Sequence, residues 1–198
     1  MARVISPLTR LTLRRDRRPA IGWTAGIALL AAYSAIALTG IYDTAAERRA
    51  FATAFSSPMA AMFTGPGYGL DDADPSLGAI LATEVLGYLA LIAVLAGLLM
   101  SIARTRADEE TGPGELLRAA PVGRSQATRA ALASVMLTGS LMAVAFCAIT
   151  VAVGLAPLDA LAAGLGLALC AAAGAGGGLV LGALAGSARA ARGMGTLL

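Results

Sequence analysis

GAILATEVLGYLALIAVLAGLLMSIA, residues 78–103, runs 26 positions with one charged side chain, Glu84. About 20 mainly apolar residues suffice to cross the hydrocarbon of a bilayer. A stretch of this length and composition therefore reads as a transmembrane helix. Three others of the same kind follow from the sequence, at 20–41, 130–155 and 158–185. Hydrophobic residues make up 58% of the 198 positions, charged residues only 14%, and the mean hydropathy is +0.76. A soluble domain is about half apolar, so the class expected is an all-α integral membrane protein, a single transmembrane domain over 1–198. The run at 20–41 follows an arginine cluster, as a secretory signal would. It is too long for a signal core, however, and no small-residue cleavage site precedes Tyr42.

Composition also removes function classes. There is no histidine, no lysine and only two cysteines, so the usual ligands of zinc, haem and iron–sulfur centres are missing. Cys147 and Cys170 fall inside apolar runs and are expected to be buried free thiols. The net charge of +3 is not organised as a basic patch with interleaved aromatics, so no nucleic-acid partner is expected. No nucleophile elbow, zinc motif or phosphate-binding loop is present. The expected catalytic, metal and cofactor residues are therefore none.

The arginines orient the chain, because cytoplasmic flanks of spans carry an excess of them. With the N-terminus inside, thirteen of the fifteen basic residues lie on the cytoplasmic side and only Arg48 and Arg49 lie outside. Both termini, and the connection at 104–129, are then cytoplasmic. Asp43, Asp71, Asp72, Asp74 and Asp159 collect on the opposite side. The stretch SPLTRLTLRRDRR, 6–18, reads as a short amphipathic helix in the headgroup layer or as an ordinary positive flank.

The outer loop, 42–77, carries its own helix signals. Thr44 and Glu47 form a capping box, with Phe51 and Phe55 on one face of the helix that follows. Ser57-Pro58 gives a cap with proline at the first helical position, leading through Met59, Met62 and Phe63. GPGYG then breaks the pattern. Asp74-Pro75 repeats the cap-and-proline signal before the second span. Two small helices resting on the outer membrane surface are expected.

Within the spans, Gly174, Gly178, Gly182 and Gly186 recur every fourth residue, a face on which helices pack closely. Glu84 lies about 9 Å into its helix, at 1.5 Å per residue from Gly78. Tyr88, one turn on, shares its face as a potential hydrogen-bond partner. Two readings stand for Glu84: a substrate path, or a carboxylate hydrated by the interface.

The connection RTRADEETGPGELLRAAPVGR, 104–124, concentrates four of the twelve acids and four of the fifteen basic residues. Gly112-Pro113 supplies a helix start, with Glu115 in the first turn, where a carboxylate suits the helix dipole. Leu116 and Leu117 follow, and Pro121 ends the two turns. A short helix with bare leucines lacks a core of its own and calls for a partner surface.

The string EETGPGELLRAAPVGR, 109–124, resembles the signature of type-2 ABC exporter permeases. The likeness to actinobacterial exporters of polyketide antibiotics, the tetronasin-type permeases, covers nearly the whole chain. It includes LTRLTLRRDRRPAIGW at 8–23, YDTAAERRAFATAF at 42–55, MFTGPGYG at 62–69 and SARAARGMG at 187–195. The resemblance implies a coupling helix docked on a separate ATP-binding subunit. Its motif falls on Glu109, Glu110, Gly112, Glu115, Leu116, Leu117, Pro121 and Arg124, with Arg118 beside them. ATP and magnesium would then sit on that partner, which works as a dimer. The cargo would be a hydrophobic compound, and the location the plasma membrane.

Two positions depart from the family pattern. Pro113-Gly114 replaces a basic residue and a better helix former, and Glu84 stands where a basic residue is expected. Such permeases use six spans per half, so the chain is expected to be an N-terminal fragment. Its missing part would be the remaining permease half or a second copy. The alternative from another class is a small membrane scaffold or sensor that transports nothing.

Overall fold

A computed structural model describes residues 7–55, 57–64, 69–105 and 124–196. Among these residues all regular structure is helical: α1 (Pro7–Ile41), α2 (Ala45–Phe55), α3 (Pro58–Thr64), α4 (Leu77–Arg104), α5 (Arg124–Ala152), α6 (Pro157–Leu184) and α7 (Ala188–Thr196). Four of them, α1, α4, α5 and α6, are long and apolar enough to cross a membrane. The chain is an all-α, multi-pass membrane protein. Both cysteines are free but only half-buried. The Cys147 thiol donates to the Ala160 carbonyl at 2.9 Å.

The helix boundaries follow local chemistry. The amphipathic segment is not a separate element; it runs without a break into the first span, so α1 has 35 residues with Pro19 inside. At 1.5 Å per residue that is about 52 Å, well beyond the ~30 Å of hydrocarbon. Proline removes one amide donor from a helix interior, and here that loss does not end the helix.

The start of α4 corrects the sequence reading. Ser76, not Asp74, caps it: Ser76 Oγ accepts from the Ala79 amide at 3.1 Å. The cap hydroxyl has to sit three residues before the amide it serves, and Asp74 lies too far upstream. Helix α5 ends at Ala152, three residues before the expected limit of that span. Gly154 takes φ +95° and donates to the Val151 carbonyl at 3.0 Å. Glycine accepts the left-handed conformation that closes a helix end without a Cβ penalty.

The residues cluster into two compact units, and each long helix contributes to both. The first unit holds residues 1–23, 93–139 and 169–198. In it Leu98, Ile102, Ala185 and Ala191 are buried together, so α7 has a core contact through its alanine face. A Cβ at Gly97 would fall on the Ala171 carbonyl, and one at Gly174 on the Val94 carbonyl. The backbones of α4 and α6 therefore touch where both carry glycine.

The second unit holds 24–92 and 140–168. Its core gathers Ala35, Leu38, Phe51, Leu70, residues 79–82, Leu155 and Ala160. Helix α2 is thus fastened into protein through Phe51, rather than resting only on a membrane surface. Phe51 stacks on Phe55 at 4.3 Å and meets Tyr42 edge-on at 5.2 Å, the geometries that aromatic quadrupoles favour. Met59 and Met62 of α3 are exposed.

Candidate functional site

The coupling segment lies mostly outside the described residues. Glu109, Glu110, Gly112, Glu115, Leu116, Leu117, Arg118 and Pro121 all fall there. Its two ends are described: Arg104 closes α4 and Arg124 opens α5. Thr105 continues from α4, its amide bonding the Ser101 carbonyl at 3.0 Å and its hydroxyl the same oxygen at 2.8 Å.

At the α4 end the structure assembles a group that the sequence reading passed over. Asp16 of α1 is 2% exposed. Its Oδ1 pairs with the Arg104 guanidinium, which donates through both Nε and Nη2. Its Oδ2 accepts from the hydroxyl of Ser134 on α5. One carboxylate thus joins three long helices within the first unit, both oxygens occupied. Because a buried charge is tolerable only when paired and hydrogen-bonded, Asp16 depends on both Arg104 and Ser134.

A signal for this was present. Asp16 is the single acid inside LRRDRRP, and it begins the buried stripe Asp16, Ala20, Ile27, Ala31, Ala35 and Leu38. That spacing keeps one helix face turned inward. Counting only arginines, for orientation, hid the acid among them. Ser134 likewise lies in a buried row, Ala130, Ser134, Thr138, Met142, Phe146 and Thr150, at every fourth residue.

Glu84 is partly buried on α4, and its partner is not the residue one turn along. Tyr88 is 71% exposed; Tyr42, just beyond α1, donates its phenol to Glu84 Oε1 at 3.5 Å. Burial pushes the Tyr42 phenol above its ordinary value, and the Glu84 charge and hydrogen bond add to the shift. Close by in sequence, Arg48 is held at several points. Its Nε donates to the Pro75 carbonyl at 2.9 Å, its Nη1 to Asp43 O at 3.1 Å, and its Nη2 to the Asp74 carboxylate at 3.4 Å. Arg49 donates to the Ala73 carbonyl at 2.9 Å. These bonds pin α2 against the chain that leads into α4. The capping box is present as well: the Thr44 amide bonds Glu47 at 2.9 Å and the Glu47 amide bonds Thr44 Oγ1 at 3.3 Å.

The glycine run divides. Gly174 and Gly178 face α4, where added Cβ atoms would strike Val94 and Leu98. Gly182 is buried. Gly186 lies past the end of α6, and a Cβ there would meet nothing within 4 Å, so the packing face stops before it. Glycines outside the run pack just as closely: Gly78 against Leu155, Gly97 against Ala171, and Gly164 against Cys147.

No protein-family model and no solved structure matches this chain. Over 119 residues it is 38% identical to the multidrug efflux system permease protein of Mycobacterium tuberculosis (strain ATCC 25618 / H37Rv). The overlap takes in 59% of this chain and 21% of that protein. The chain thus spans about a fifth of the length of the curated relative it matches, and this chain, with four long apolar helices, is similar to part of an efflux permease.

Proposed function

We propose that this chain is the membrane-spanning permease part of an ATP-driven exporter of hydrophobic compounds, in drug or antibiotic efflux. The observation that carries the reading is the similarity to an efflux permease, in a chain whose described residues form four long apolar helices. The order of the family-like strings along the chain supports it. On this reading the chain is not itself catalytic; a dimeric ATP-binding subunit holds ATP and magnesium. The remaining permease half, or a second copy of this chain, completes the transport path. The excess of arginines on cytoplasmic flanks supports an orientation with both termini and the 104–124 connection on the cytoplasmic side of the plasma membrane, where thirteen of the fifteen arginines would then lie.

Force would enter through that connection. Leu116 and Leu117 supply apolar anchoring in a groove of the ATPase, while Glu115, Arg118 and Arg124 set register against its charges. Glu109, Glu110, Gly112 and Pro121 complete the docking motif. Glu84 is a candidate for the substrate path. Its bond to Tyr42 equally suits a structural carboxylate at the interface.

The test is Leu116→Asp with Leu117→Asp. The double variant should lose co-purification with the ATP-binding subunit while still inserting into membranes. Association at the wild-type level would remove the docking assignment.

A further inference from the structure

We infer that the first unit carries a binding site for the headgroup of an anionic phospholipid, in a groove walled by α1, α4 and α7. The groove has a volume of about 350 Å³ and is lined by Asp16, Pro19, Trp23, Met100, Arg104 and Arg192, with Leu99 and Ala103. Asp16, Pro19 and Trp23 stand at i, i+3 and i+7, one face of α1. The α4 residues belong to its last two turns, and α7 adds Arg192.

Charge decides the sign of the ligand. Asp16 and Arg104 neutralise each other as an ion pair, and Ser134 takes the remaining carboxylate oxygen. Arg192 is exposed and makes no ion pair among the described residues, so among those residues the groove lining carries one net positive charge. Around it, Arg14, Arg15, Arg17 and Arg18 are exposed on α1, which raises the local concentration of anions. The inorganic anion is the poorer fit, because five of the eight lining residues, Pro19, Trp23, Leu99, Met100 and Ala103, offer an apolar surface that phosphate alone cannot use.

Depth selects a membrane lipid. The groove lies at the arginine-flanked ends of two helices able to cross the bilayer, the level at which arginine and tryptophan meet phospholipid headgroups. Its volume sits at the low end of ligand sites. It therefore takes a phosphate with its glycerol, and the acyl chains run along the exposed helix surface. The inference is independent of the exporter reading, since a scaffold or sensor with this groove would bind the same lipid.

The experiment uses the full chain, reconstituted from mixed phosphatidylglycerol–phosphatidylcholine bilayers and released for native mass spectrometry, which counts retained lipids. The wild type should retain phosphatidylglycerol in preference to phosphatidylcholine. Arg192→Gln should lower that retention at least about ten-fold, because a charge-assisted hydrogen bond to phosphate is lost, and Arg192→Lys should recover most of it. Arg189→Gln, on the same helix but outside the groove lining, carries the same charge loss and should lower retention by no more than the general surface attraction, about five-fold or less. Inorganic phosphate in the buffer should not compete. Equal losses from Arg189→Gln and Arg192→Gln would reduce the effect to general charge attraction and overturn the site. Absence of any phosphatidylglycerol preference, or displacement by inorganic phosphate, would overturn it too.

Discussion

Replacing Arg104 with alanine removes the one cation that, among the described residues, pairs with a carboxylate itself 3% exposed at its side chain. Asp16 would keep its bond from Ser134 and lose its counter-charge. Breaking one side of a buried ion pair costs about 3–5 kcal/mol, because the remaining charge stays out of water without compensation. Asp16→Ala should cost somewhat less, since Arg104 at 12% exposure can reach solvent with its long side chain. The informative variant is the double one. With Asp16→Leu and Arg104→Met together, no charge is left uncompensated. The combined loss should fall below that of either Asp16→Leu or Arg104→Met made alone, and the cycle of these three variants should give a coupling of about 2 kcal/mol or more. The assay is reversible unfolding of the detergent-solubilised chain in mixed micelles. It is followed by the fluorescence of Trp23, the one tryptophan, which lines the same groove as the pair. An Arg104→Ala loss under about 1 kcal/mol, the range of exposed pairs, would refute the reasoning. So would strict additivity of the two sites.

Two further outcomes follow from the geometry. Gly174→Ala should destabilise by about 1–3 kcal/mol through overpacking against the Val94 carbonyl, whereas Gly176→Ala, with nothing within 4 Å, should be neutral or slightly stabilising on the same helix. The Glu47 carboxyl is held below its ordinary value of 4.5, first by the Thr44 amide and then by the Thr44 hydroxyl. A group lowered in the folded state stabilises above its unfolded pKa, and that contribution disappears as pH falls through the lowered value. Wild-type stability should therefore decline below about pH 4.5 more steeply than that of Glu47→Gln, measured as melting temperature against pH.

Much of the architecture was legible because a bilayer imposes a long, one-dimensional constraint. Residues 78–103 must be a helix in any membrane context, since unbonded backbone is too costly in hydrocarbon. The capping box at Thr44 and Glu47 was equally readable, its partners being three residues apart. Signals that depend on spacing at the next level were misplaced by a few residues. The cap of α4 moved from Asp74 to Ser76 because only Ser76 sits within three residues of the amide to be capped, while Asp74 meets Arg48, 26 positions away. Tyr88 shares a helix face with Glu84, but Tyr42 reaches the carboxylate from another element. The glycine repeat predicted close packing without showing which helix it meets, or that it ends before Gly186.

By itself, then, the sequence determined that four long apolar helices belong in a bilayer, and where several of their caps and breaks fall to within a few residues. Each of those properties rests on composition and on contacts three or four positions apart. Only the tertiary structure decided that Asp16, Arg104 and Ser134 meet. They are separated by 88 and 118 positions along the chain, counted from Asp16, and each looks ordinary in its own neighbourhood. A carboxylate among arginines reads as a solvated flank until a second helix closes over it, and burial is a property that only the packed chain possesses.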